Sequence, residues 1–203
     1  MDSQPPDSSN PSEQPPQPPN GDQPYVQPFH HQPVAARVPE RIARGVYSTG
    51  QIVLDSPKEF VIDFLQGLTR PHQIVARVVV TPHTMAEFRN ALEQNLATYT
   101  QAFGPPVPMP PPPQQQRPTL QEIYENFKIA EDTAGGTYAN SVLIGHSPAE
   151  FFFDFITNFY PTSAVTARVF LPAPMVPRFL STITTCLEQF QMKYAPRNPG
   201  EGT

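Results

Sequence analysis

The stretch ARGVYSTGQIVLDSPKEFVIDFLQGL at residues 43–68 decides the fold, because the chain carries it twice. A shift of 91 positions lays it over AGGTYANSVLIGHSPAEFFFDFITNF at 134–159, and the same shift lays IVARVVV (74–80) over VTARVFL (165–171). No gap is needed from residue 36 to 104, and fifteen of the 69 aligned pairs are identical. The identities are grouped, as in Ser56-Pro57/Ser147-Pro148, Asp63-Phe64/Asp154-Phe155 and Ala76-Arg77-Val78/Ala167-Arg168-Val169. Grouped identities at one fixed offset mark an internal duplication.

Each copy reads in the same order. Tyr47–Leu54 and Tyr138–Ile144 are strand-like, and the Ser-Pro pairs after them are turns, since proline fixes φ and pushes its predecessor out of the helical region. Next, Phe60, Ile62 and Phe64 alternate with Val61, Asp63 and Leu65, and the second copy sets Phe151, Phe153 and Phe155 against Phe152, Asp154 and Ile156. A third strand follows at Ile74–Val80 or Val165–Leu171. Upstream, Ala36–Val38 and Phe127–Ala130 suggest a fourth strand, while Thr119-Leu120-Gln121-Glu122 also fits a helical capping box. Each copy closes with a helix. Thr81-Pro82 supplies an N-cap and an N1 proline, and Met85, Phe88, Leu92, Leu96, Tyr99 and Phe103 recur at helical spacing. Val176, Phe179, Ile183, Leu187, Phe190 and Tyr194 repeat that stripe.

The fold class expected is therefore α+β: two tandem β-β-β-α units, or β-β-β-β-α units if the extra strand forms, with antiparallel sheets. In each unit the aromatic strand face packs on the helix stripe as two layers. A unit of about 60–70 residues is marginal for a separate core. Pairing the copies as an intramolecular pseudo-dimer would relieve this, by covering the second sheet face (Val61, Leu65, Val75, Val79; Phe152, Ile156, Phe170) or by joining sheet edges.

Proline sets the outer boundaries. Of 29 prolines, ten fall in residues 1–34 and seven in 105–113. Usage this far above about one in twenty marks segments that do not fold. The organisation expected is a disordered acidic tail (1–35), a first unit (36–104), a polyproline linker (105–118), a second unit (119–196) and a disordered end (197–203). Polyproline could also dock in aromatic grooves, but a spacer is the plainer account.

Composition then narrows the function. The net charge is −5, and no region carries a lysine- and arginine-rich stripe able to track a phosphate backbone. Only Arg37, Arg41 and Arg44 form a weak basic cluster, and the phenylalanines alternate like a core face instead of a base-stacking platform. Nucleic acid ranks below protein as a partner on this ground. The one cysteine, Cys186, cannot close an internal disulfide and sits beside a helix stripe, so a small buried hydrophobe is its expected role. The first residues have no basic and apolar leader, and no run of 18 apolar residues exists, so a cytoplasmic protein without membrane contact is expected.

The chemistry sought is not found. Gly145-His146-Ser147-Pro148-Ala149 lacks the closing glycine of a nucleophile elbow, and its twin, Leu54-Asp55-Ser56-Pro57-Lys58, loses the histidine. No histidine falls in a metal spacing, no glycine-rich phosphate loop occurs, and no catalytic, cofactor or metal residue is assigned. Asp63 and Arg77 share a strand face and lie opposite if their hairpin centres near Arg70; Asp154 and Arg168 repeat the arrangement. A cross-strand ion pair that fixes register is the favoured reading, a polar ligand site the alternative.

The pattern ARGVYS…SPKEFVIDF…ARVVVTPHTMAEFRNALEQNLATY resembles a bacterial family, domain of unknown function 3467. The family pattern is a Tyr-Ser-Asn opening, a Ser-x-x-Glu-Phe-x-x-Asp-Phe strand, an Arg-Val strand and a Thr/Ser-Pro helix start. The first copy departs at Thr49. The second keeps Tyr138-Ala139-Asn140 and Ser147 to Phe155 but has Pro172-Ala173-Pro174 before its helix. The resemblance implies a fold and no activity. Its topology is similar to folds of export chaperones and of single-strand binders, an analogy of fold alone. The expectation is a non-enzymatic bacterial protein-binding or assembly module, with self-association through sheet faces or edges. The alternative is a single-stranded nucleic-acid-associated protein using the three arginines and a sheet face.

Overall fold

The computed structural model describes residues 36–110, 119–159 and 161–194. The expected tail (1–35), residues 111–118 of the expected linker and the expected end (197–203) lie outside the described residues. Residues 105–110 carry no helix or strand.

In chain order the first copy holds α1 (Glu40–Ala43), β1 (Val46–Tyr47), β2 (Gly50–Asp55), β3 (Phe60–Gln66), β4 (His72–Val80) and α2 (Pro82–Phe103). The second holds α3 (Leu120–Asn126), β5 (Phe127–Ile129), α4 (Glu131–Ala134), β6 (Thr137–Ala139), β7 (Ser141–His146), β8 (Glu150–Phe159) and β9 (Thr162–Pro172). A 3₁₀ turn at Ala173–Met175 then leads into α5 (Val176–Tyr194). The class is α+β with two sheets.

Local chemistry sets the boundaries. Thr81 caps α2 by accepting from the Thr84 N–H, with Pro82 in the first turn. Thr119 and Glu122 form a complete capping box on α3, and β5 follows at once. The capping-box and strand readings thus both hold, on consecutive segments. At the Ser-Pro turns, Ser56 Oγ accepts from the Lys58 and Glu59 N–H groups and donates to the Glu59 carboxylate at 2.6 Å. Ser147 and Glu150 repeat this at 2.8 Å.

Three expectations are corrected. First, the strands expected over Tyr47–Leu54 and Tyr138–Ile144 each split in two. The Ser48 N–H still donates to Phe170 of β9, whereas the Thr49 N–H donates to Leu65 of β3, so the chain changes partner between adjacent residues. Alternating apolar residues look the same on both sides of such a switch. Second, the sheets are not purely antiparallel. β2-β3-β4 and β7-β8-β9 are antiparallel meanders, but β1 joins β9 in parallel, and β5 and β6 both join β4 in parallel. At Ala36–Val38 there is a single parallel bridge, Arg37 to Ala164, in place of a strand. Each leading segment therefore lies along the third strand of the other copy.

The third correction concerns the helices. α2 packs against β7 and α5 against β2, so each helix covers the sheet of the other copy. Phe88 of α2 meets Phe153 and Phe155 at 5.6 and 5.7 Å. Phe179 of α5 meets Phe64 at 5.8 Å, and Phe190 meets Phe60 at 5.1 Å. Both copies share one core, in which Phe60, Phe64, Phe151, Phe153, Phe155 and Phe179 are fully buried. A strand face and a helix stripe each need a cover, and the sequence does not say whose. Cys186 is half-buried at the edge of that core, and burial pushes its thiol pKa up.

Candidate functional site

Asp63 lies directly opposite Arg77 on β3 and β4, and Asp154 opposite Arg168 on β8 and β9. Each arginine forks onto its aspartate. Arg77 Nε and Nη2 donate to Asp63 at 2.7 and 2.8 Å, and Arg168 makes the same two bonds to Asp154, both at 2.6 Å. A planar guanidinium matches a carboxylate in this way and a lysine cannot. The bonds to Asp63 and to Asp154 hold the two guanidinium pKa values above their ordinary range.

The third donor of each fork leaves its own copy. Arg77 Nη1 donates to the Ala134 carbonyl at the end of α4 (3.0 Å), and Arg168 Nη1 to the Ala43 carbonyl at the end of α1 (3.3 Å). Beyond each carbonyl the chain turns through Gly45 (φ 63°) or Gly136 (φ 70°), where a β-carbon would meet the Phe170 ring or the Arg77 stem. These are conformations and spaces that glycine fills without strain. The pairs therefore hold a strand register and also fasten the leading segment of the opposite copy.

Asp63 has a further partner. Tyr124 of α3 donates its hydroxyl to Asp63 Oδ2, and burial followed by this bond raises the phenol pKa to about 12. Tyr124 is illegible from the repeat, because it precedes the aligned span and the residue 91 positions earlier is Pro33, which has no hydroxyl. The junction residues were half legible. Asn140 Oδ1 accepts from the Asn158 N–H at 2.8 Å, and Thr49 Oγ1 accepts from the equivalent Gly67 N–H at 2.9 Å. The threonine that departs from the Tyr-Ser-Asn pattern thus does part of the asparagine's work.

Between the copies lies a cleft of about 440 Å³. Its fourteen lining residues are seven positions of one copy and the same seven, 91 residues on, of the other. The two forked arginines are among them, as are Arg41 on α1 and its counterpart Asp132 on α4. Arg41, Arg37 and Arg44 are all exposed, but the structure separates their settings: Arg37 at the bridge to Ala164, Arg44 at the end of α1, and Arg41 alone on the cleft. Asp132 was missed because an acidic residue on a four-residue helix carries no signal by itself.

The Ser147 hydroxyl is committed to Glu150, while the His146 ring packs among Phe151, Tyr99 and Phe103 at 5.1, 5.6 and 6.2 Å. Among the described residues, no three of His, Cys, Asp and Glu gather as a metal site. No helix there is long and apolar enough to cross a membrane.

The profile of one family, "Protein of unknown function (DUF3467)", matches the chain twice, over residues 8–106 and 109–196. The chain belongs to the DUF3467 family. The two matches span most of the sequence, so the family unit is present in tandem, and the Asp-Arg forks fall once in each match. No curated protein matches this DUF3467 chain.

Proposed function

We propose that this chain is a non-enzymatic protein-binding or assembly module, built as an intramolecular pseudo-dimer of the DUF3467 unit. The pseudo-dimer reading draws on reciprocity. Copy one lends β1 to β9 and α2 to β7; copy two lends β6 to β4 and α5 to β2. Contacts exchanged in both directions are the signature of an isologous interface between two like units. Such an interface compensates for the small core each unit builds alone.

The observation that carries the binding role is the pair of outer strands, β2 and β7, which end their sheets. Their sequences, GQIVLD and SVLIGH, contain no lysine and no proline, the residues that blunt a sheet edge, and Leu143 is 51% exposed. One molecule thus presents the same kind of edge twice, to which an extended partner strand can add. The absence of an enzyme in this reading is supported by the occupied hydroxyl of Ser147 and the aromatic packing of His146. The five phenylalanines that would have to stack bases, Phe60, Phe64, Phe151, Phe153 and Phe155, are buried in the core.

The test compares proteins captured by the full chain with those captured by the Ile52→Lys/Leu143→Lys double variant. A partner retained by the wild type and lost from the variant supports strand addition. Equal capture by both, or none by either, overturns it. A fluorescence-anisotropy titration with single-stranded oligonucleotides runs beside it, where saturable binding that falls steeply with salt would replace the protein reading.

A further inference from the structure

We propose that the cleft between the copies binds a small zwitterion, of amino-acid to dipeptide size, with its carboxylate on Arg41 and its ammonium group on Asp132. The volume of about 440 Å³ lies within the roughly 300–1,000 Å³ typical of small-molecule sites.

The lining carries the chemistry. Three of its seven repeat-related positions are identical in the two copies: Gly45/Gly136, Ala76/Ala167 and Arg77/Arg168. The other four have diverged in one direction. Ile42, Val46 and Val75 in copy one become Thr133, Thr137 and Thr166 in copy two, all β-branched residues of similar shape, so the outline persists while hydroxyls replace methyl groups. The fourth change reverses charge, Arg41 to Asp132. Drift in a merely solvated groove gives no reason for shape to be kept and polarity to be split.

Both charges are uncommitted. Among the described residues neither Arg41 nor Asp132 enters an ion pair, and Asp132 accepts only from its neighbour Thr133 at 3.3 Å. Arg77 and Arg168 are less available, since each is charge-paired with an aspartate and spends three of its five N–H donors on that aspartate and a carbonyl. Those same forks hold the ends of α1 and α4, the helices that bring Arg41 and Asp132 to the cleft. A simple anion would be repelled by Asp132 and a simple cation by Arg41. A ligand with both charges satisfies both side chains.

The inference goes beyond the assembly reading and does not depend on the strand edges. It is tested by isothermal titration calorimetry of the full chain with the twenty L-amino acids and with L-Ala-L-Ala, each up to about 10 mM, a ceiling that captures weak sites. Saturable binding of at least one member is expected. Its N-acetyl and its carboxamide derivatives should each bind about tenfold more weakly, the weight of one charge-assisted hydrogen bond. Arg41→Gln should weaken the zwitterion but not the carboxamide, and Asp132→Asn the zwitterion but not the N-acetyl form. Absence of saturable binding across the panel overturns the proposal, as does binding indifferent to both blocked ends and both substitutions.

Discussion

The two Asp-Arg forks have the same bonds and different surroundings. Asp63 is wholly buried and takes a second partner, Tyr124, whereas Asp154 keeps slight exposure and has no such partner among the described residues. Around Arg168 the second copy offers instead the Phe152 ring, 6.0 Å from the guanidinium carbon, where the first copy has Val61. The difference teaches that the duplication kept what fastens one copy to the other and let the cover over each fork diverge. Register alone needs the carboxylate and the guanidinium; the reach to Ala134 or Ala43 serves the opposite copy.

The largest expected effect therefore falls on the more enclosed fork. Asp63→Ala strands the Arg77 charge and the Tyr124 hydroxyl and should cost about 3–5 kcal/mol of unfolding free energy in urea, the range for breaking a buried pair from one side. Asp154→Ala should cost less, about 2–3 kcal/mol. Equal losses would show that Tyr124 and the deeper burial of Asp63 contribute nothing.

The glycines sharpen the comparison next. Gly45→Ala brings a β-carbon to 2.5 Å from the Phe170 ring at φ 63°, while Gly136→Ala brings one to 3.0 Å from the Arg77 stem at φ 70°. Both enter a left-handed conformation that costs about 1–3 kcal/mol, with the first at the upper end. Thermal melts should rank Gly45→Ala below Gly136→Ala, and the reverse order would count against the tight seat of α1 on β9.

Tyr124→Phe isolates the added partner, with an expected loss of about 1–2 kcal/mol for one hydrogen bond to a buried carboxylate. Its pH dependence has a definite sign. The folded phenol titrates near 12 against an ordinary 10, so the folded state holds its proton more tightly than the unfolded chain. Its contribution is complete below pH 10 and is lost as pH rises toward 12. Wild-type stability should decline through that window more steeply than the Phe variant, as read by chemical denaturation at a series of pH values. Parallel curves would contradict the shift.

The smallest effect is expected at the helix ends. Lys193 of α5 pairs with Asp55 at 2.9 Å across a solvated surface, whereas the Tyr99 hydroxyl of α2 reaches the Pro148 carbonyl at 2.8 Å beside His146. Lys193→Ala should be close to neutral in a urea melt because water and salt screen an exposed pair. Tyr99→Phe should cost about 1 kcal/mol.

Much was legible in the residues. The 91-residue repeat follows from comparing the chain with itself, while the Ser-Pro turns, the aromatic strand face, the Thr81 cap and the helical stripes follow from local stereochemistry and side-chain periodicity within single segments. Tertiary structure alone decided which copy covers which. Phe88 could have packed on its own sheet or on the other, since a hydrophobic stripe specifies apolar cover and not the identity of the covering strand. Ser48 and Thr49 hid a change of partner, because hydrogen-bond direction leaves no trace in hydropathy. Arg77 and Arg168 disclosed their carboxylates through strand register, a local rule. Their third donors, which reach Ala134 and Ala43, depend on backbone carbonyls brought near from the other copy, and backbone carbonyls are present at every residue.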